Sequence, residues 1–189
     1  MGPCAGEEAE RRKGFPLQNY SFELVFIGFV QVTEPMNRKK HILIVDDDRS
    51  VRRMLTRVLA DEGYRVLSAA DGARGLEIAN TRRIDLVLLD LNLPEKCGWE
   101  VFSRLTHIKP LLPVVIITAK SNQLFTALAA GVGALLEKPL HIPKMLQTVS
   151  HLLAESIEPR LARVMGKLTQ FHYLPAWPQA QPSCSGGTC

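Results

Sequence analysis

Four cysteines in 189 residues, at positions 4, 97, 184 and 189, are too scattered for a disulfide framework and fit no zinc-ligand spacing. A reducing cytoplasm suits them. Charge of one sign is also lacking: the net charge is +4, and the Arg and Lys residues are interleaved with acids along helical patterns. That distribution describes a solvated mixed surface better than a nucleic-acid-binding face. The chain has no long uninterrupted apolar run. Its nearest approach, "YSFELVFIGFVQV" at 20–32, is preceded by Arg11, Arg12 and Lys13 but is broken by Glu23. It is too short for a membrane span and is followed by no small-residue cleavage site, so neither insertion nor export is expected. No internal repeat is found.

What is present is enough apolar residue, 46% against 22% charged, for one globular core. The length leaves room for one α/β domain of about 100–150 residues with tails. From Lys40 onward, strand-length apolar runs alternate with helix-period segments, the pattern of a parallel sheet covered on both faces. The strands are read at 41–45, 64–69, 84–90, 113–118 and 133–139. Between them, Val51, Met54, Leu55, Val58 and Leu59 form one helical face that stops at Gly63. Ala73, Leu76 and Ala79 form a second, with Gly75 an unfavourable helix residue, and Val101, Phe102, Leu105 and Ile108 form a third. Ser121 is the expected cap of the fourth helix, which carries Leu124 and Leu128. The fifth carries Ile142, Met145, Leu146, Val149, Leu152 and Leu153, and is expected to end near Pro159.

Three segments follow from this reading. Residues 1–39 are an extension expected to be poorly ordered, with Met36 the expected functional start; 40–155 form the domain; 156–189 hold a short amphipathic helix on Leu161, Val164, Met165 and Leu168, then a disordered Pro- and Gly-rich tail.

Right-handed crossovers point all strands of a parallel sheet the same way, so residues just after each strand collect along one edge. Here the first strand delivers Asp46 and Asp47, the third Asp90, the fourth Thr118 and the fifth Lys138. Taken singly, an acid after a strand is usually a helix cap, the role expected of Asp48. Thr118 alone would be a strand end and Lys138 alone a solvated charge. Together they form a constellation. Three carboxylates this close cannot all stay ionised unless a cation neutralises them or their pKa values rise; a divalent cation is the economical answer, and all-oxygen ligands favour a hard ion such as Mg²⁺. Asp90 then has the chemistry of a carboxylate nucleophile toward phosphorus, with Lys138 and Thr118 placed to stabilise charge on the phosphoryl oxygens.

The motifs "ILIVDDD", "DLVLLDLNLP" followed by Gly98, "VVIITA" and "LLEKP" resemble the receiver domain of response regulators in two-component signalling, over about residues 40–155. The resemblance implies a flavodoxin-like fold, five parallel strands in the order 2-1-3-4-5, phosphorylated on Asp90 by a sensor histidine kinase or a histidine phosphotransfer protein. It also implies Mg²⁺ held by Asp46, Asp47, Asp90 and the backbone carbonyl of Asn92, a phosphoryl group gripped by Thr118 and Lys138, and a cis peptide before Pro139. Leu135 stands where the family often has an aromatic residue, and Lys120 where side chains tune hydrolysis of the aspartyl phosphate. Cys97 reads as an inert thiol.

Little sequence follows the domain, so a stand-alone phosphorelay module is expected, acting on a downstream protein target without direct DNA or membrane binding. It would be no enzyme beyond its own phosphorylation and dephosphorylation. The fourth helix, fifth strand and fifth helix are the expected output face. Two alternatives are a metal-dependent phosphatase of the haloacid dehalogenase type and a truncated transcription regulator. The first needs an acid two residues after the nucleophile, where Asn92 stands.

Overall fold

Four pentads and one tetrad, too short for helices, become the strands of a parallel sheet: β1 (His41–Val45), β2 (Arg65–Ala69), β3 (Leu86–Asp90), β4 (Val114–Thr118) and β5 (Ala134–Glu137). The computed structural model describes residues 38–94, 97–120, 122–167 and 170–177. Residues 1–37 of the expected N-terminal extension, with Met36 and the apolar stretch at 20–32, lie outside them, as do Ser121, Leu168, the end of the tail and three of the cysteines. β3 and β4 are buried along their whole length. Central strands of a doubly covered sheet must be, and their Val/Ile/Leu runs say so.

Alternate residues feed two cores. Leu43, Val45, Val87 and Leu89 face α2 (Gly72–Thr81), α3 (Gly98–Ile108) and α4 (Leu124–Ala129) through Ile78, Ala79, Val101, Phe102, Leu105 and Ala127. Ile42, Ile44, Leu86 and Leu88 face α1 (Arg49–Asp61) and α5 (Ile142–Ala154) through Leu55, Leu59, Met145, Val149 and Leu152. α1 stops at Gly63, whose φ of 86° provides the left-handed turn that returns Tyr64 N–H to Leu59 O.

The sheet has six strands, in the order β2-β1-β3-β4-β5-β6. The first five follow the expected order; the sixth, β6 (His172–Leu174), pairs in parallel with β5 where a disordered tail was expected. Its pairing satisfies backbone groups that would otherwise line an open edge of β5. Three residues followed by Pro175 give too short a pattern to announce a strand.

Other expectations change: Met54 and Ile108, read as part of the apolar faces of α1 and α3, are 39% and 47% exposed. The inner face of α2 is Gly72, Gly75, Ile78 and Ala79, and Ala73 is exposed. Gly75 is there for contact: a Cβ would come within 2.8 Å of Val45 Cγ2. α5 ends at Ala154 rather than near Pro159, and Pro159 falls in the first turn of α6 (Ile157–Val164), where its missing N–H costs nothing. Finally α6 turns Arg163 inward, leaving Leu161 at 48%, Val164 at 51% and Met165 at 60% exposure. Glu155 is the reason. Its side chain is 7% exposed, and Arg163 donates to both of its oxygens. A carboxylate so buried demands a partner, and that demand overrides the weak apolar stripe.

Gly98 fixes how α3 starts against the end of β3. A Cβ there would lie 2.5 Å from Leu91 Cα and 2.6 Å from Asp90 O, both backbone atoms that cannot step aside. Gly98→Ala is therefore expected to lose about 2 kcal/mol or more in urea denaturation. An unchanged midpoint would mean that α3 is not held this closely.

Candidate functional site

Asp90 is the last residue of β3 and registers with Ile117, one residue before Thr118; Thr118 registers with Glu137, one residue before Lys138. Parallel register thus steps Asp90, Thr118 and Lys138 along the carboxyl edge. Asp46 follows β1, the neighbour of β3 on its other side. Asp46 and Asp90 are 2% and 3% exposed and Thr118 is fully buried. Lys138 crosses the edge: its Nζ lies 2.8 Å from Asp46 Oδ2 and 2.5 Å from Asp90 Oδ2.

Backbone and side-chain donors fix the acids. Asp90 Oδ1 accepts the Asn92 N–H at 2.9 Å, and Asp46 Oδ1 accepts the Asp48 N–H at 2.8 Å. Asp48 turns away from the cluster and caps α1, accepting Ser50 N–H and Val51 N–H. Those two bonds hold its carboxyl below the usual carboxylate range. The Lys138–Pro139 peptide is cis. The Thr118 hydroxyl oxygen accepts the Lys120 N–H at 3.0 Å, and the Lys120 residue is exposed. Leu135, at the position where an aromatic is common in receivers, is fully buried. Cys97 is an exposed free thiol.

One positioning residue escaped the sequence reading. Arg52 Nη1 donates to the carbonyls of Asp46 and Asp47 at 2.7 and 2.8 Å, tying the acidic turn to the first turns of α1. Its signal was its place in the sequence, five residues after Asp47 on the helix that Asp48 caps.

Carboxylate oxygens of Asp46, Asp47 and Asp90 lie within 4.8 Å of one another. Against them stands one ammonium, so three negative charges and one positive leave a formal −2. Burial pushes the Asp46 carboxyl up, and the charge of Asp90 adds to it, beyond what Lys138 and the Asp48 N–H return. Burial pulls the Lys138 ammonium down, but the hydrogen bonds and charges of two carboxylates outweigh it and its pKa stands above the usual lysine value. The two directions agree: Lys138 meets two opposite charges, whereas Asp46 meets one opposite and one like. The residues present therefore fit a hard divalent cation, which would offset the remaining charge through oxygen ligands.

A doubly wound α/β domain with a cation-ready acidic pocket at its carboxyl edge is the class that fold and site define. Residues 42–150 match the family model described as response regulator receiver domain. The chain belongs to that family. Over 122 residues it is 34% identical to "Transcriptional regulatory protein GlrR" of Escherichia coli K12, covering 64% of this chain and 28% of that protein. Over 114 residues it is 37% identical to "Response regulator MprA" of Mycobacterium sp. KMS, covering 59% of this chain and 50% of that protein. The chain thus spans half or less of these curated relatives. Among solved structures, a CheY-like receiver domain protein from Methanospirillum hungatei superposes with a TM-score of 0.59 at 30% identity, covering 61% of this chain and 94% of that one. The response regulator TrrA from Thermotoga maritima, solved in complex with Mg²⁺–BeF, gives 0.57 at 27%, covering 60% of this chain and 98% of that one. The first relative is named as a transcriptional regulator, so the expectations of stand-alone action and of no DNA binding gain no support from it.

Because the folded-state pKa of Asp46 is raised, the folded chain binds more protons than the unfolded one just above pH 3.8, and stability falls as pH rises through that window. At neutral pH the ionised carboxyl costs stability. Asp46→Asn is expected to raise metal-free stability at pH 7, read as a higher urea midpoint, with the gain fading as pH falls toward 3.8. The same variant should lose the Mg²⁺-dependent rise in urea midpoint that the parent shows. A variant less stable than the parent at pH 7 without metal would overturn this account.

Proposed function

We propose that the chain is a phosphorylation-controlled receiver module, taking a phosphoryl group on Asp90 from a sensor histidine kinase or a histidine phosphotransfer protein. The observation that carries the reading is Lys138 Nζ on both Asp46 and Asp90, with Asp47 completing the acidic cluster. Asp90 Oδ would form the new P–O bond as the donor's P–N bond breaks, the imidazole nitrogen keeping the electron pair and later taking a proton. Asp46, Asp47, Asp90 and the Asn92 carbonyl are the residues that would hold Mg²⁺, which when bound supplies positive charge for the phosphoryl oxygens. Lys138 and the Thr118 hydroxyl would meet those oxygens from the β4–β5 side, Thr118 exchanging its bond from the Lys120 N–H for one it donates itself. Asn92 leaves no general acid two residues past the nucleophile, which counts against a phosphatase of the haloacid dehalogenase type. The module is then no enzyme beyond its own phosphorylation and dephosphorylation, and it works by protein contact in the cytoplasm. Among the described residues no helix is long and apolar enough to cross a membrane.

A second reading has one observation behind it. The chain covers 28% of a relative named as a transcriptional regulatory protein, so the same receiver could govern a DNA-binding partner domain. A mobility-shift assay with the product of the native gene separates the two.

The central test is intact mass after incubation with Mg²⁺ and a small acyl phosphate. A base-labile phosphoryl adduct is expected on the parent and absent from Asp90→Asn, with the rate of labelling lowered about tenfold or more in Lys138→Ala. An unlabelled parent would sink the reading.

A further inference from the structure

Beside its ladder with β5, the segment Phe171–Trp177 places three hydrogen bonds on the two residues that flank Lys138. The Tyr173 hydroxyl donates to Glu137 Oε1 at 3.0 Å, and the Ala176 N–H reaches Glu137 Oε2 at 3.4 Å. On the other side the Trp177 N–H donates to Pro139 O at 2.9 Å. The Trp177 ring stands edge-on to His141 with centroids 4.1 Å apart, and Lys144 Nζ lies 5.7 Å from its centre. Within the sheet, Tyr173 registers with Leu135. One segment therefore pins the chain immediately before and after the lysine whose ammonium bridges Asp46 and Asp90.

We propose that residues 171–177 are a strap coupled to the phosphoryl pocket through Lys138, its exposed contacts at Tyr173, Ala176 and Trp177 made while Asp90 is unmodified and released when Asp90 is phosphorylated. This rests on the phosphoacceptor reading given above. Docked, the strap holds Glu137 and Pro139 where Lys138 Nζ reaches both carboxylates. Phosphorylation moves negative charge from the Asp90 carboxylate onto phosphoryl oxygens beyond it, and the ammonium must follow. Lys138 N–H is bound to Thr118 O at 2.8 Å, so the main chain at this point is a taut link and not a free loop. A displacement there strains the hydrogen bonds at Glu137 and Pro139 together. Tyr173 is 38% and Trp177 46% exposed, so these two side chains bury little on docking, while Phe171 and Leu174 stay packed against the two cores. Contacts made in one state and lost in the other are what couples two sites, and the coupling runs both ways. A loosened strap therefore favours phosphorylation.

The test uses the full chain with Mg²⁺ and acetyl phosphate, reading hydrogen exchange of residues 171–177 and intact mass on the same samples. Amide exchange at Ala176 and Trp177 is expected to speed up about fivefold or more on phosphorylation, and not at all in Asp90→Asn treated identically. The double variant Tyr173→Phe with Trp177→Ala touches only exposed side chains and is expected to label about fivefold faster than the parent. A parent that gains the phosphoryl mass with unchanged exchange, or a folded double variant that labels at the parental rate, overturns the strap and leaves the phosphoacceptor reading standing. A parent that gains no mass overturns both.

Discussion

One ammonium ties the sheet's chemistry together. Lys138, 92 residues from Asp46 and 48 from Asp90, reaches both across the carboxyl edge. Much else serves that bridge. Parallel register places the lysine one step past Thr118 and Asp90; Gly98 lets α3 begin against the backbone of Asp90; Arg52 holds the carbonyls of the acidic turn. Without the bridge, buried Asp46 and Asp90 would face each other uncompensated, a cost that folding tolerates poorly.

The bridge is incomplete by design of charge. Two carboxylates share one cation, Asp47 stands beside them, and the raised pKa of Asp46 records the shortfall. A pocket that satisfied itself fully would have no affinity left for a cation and a phosphoryl group. The remaining negative charge makes the metal-free state less stable than its packing allows, and the same deficit is what a ligand would relieve.

The domain was legible because its signals are local and strong. The Val/Ile/Leu runs at 42–45, 86–89 and 114–117 admit little but buried strands, and the residues after them had to meet once the strands were parallel. Asp48 was separable from Asp46 and Asp47 because a helix starting at Arg49 needs a cap. What escaped was decided by tertiary partners. Gly75 weakens α2 as a helix but seats it on Val45, a trade visible only when both surfaces are known. Arg163 left the polar side of α6 because Glu155 was already buried. Arg52 looked like one of several arginines on α1, since its targets are backbone carbonyls, which carry no side-chain signature.

β6 shows the limit most clearly. "HYL" has no periodicity to speak of, and composition placed it in a tail; it becomes a strand because β5 offers an edge and Glu137 and Pro139 offer acceptors. A segment ordered by its docking site and not by its own propensity is weakly specified by sequence, and its exposed end at Ala176 and Trp177 is the part that a shift of Glu137 and Pro139 would reach. Its illegibility and its suitability as a responsive element have one physical cause. Where core strands hold a geometry, a strand like this one can report a change in it, and its contacts fall on either side of the residue that carries the site's positive charge.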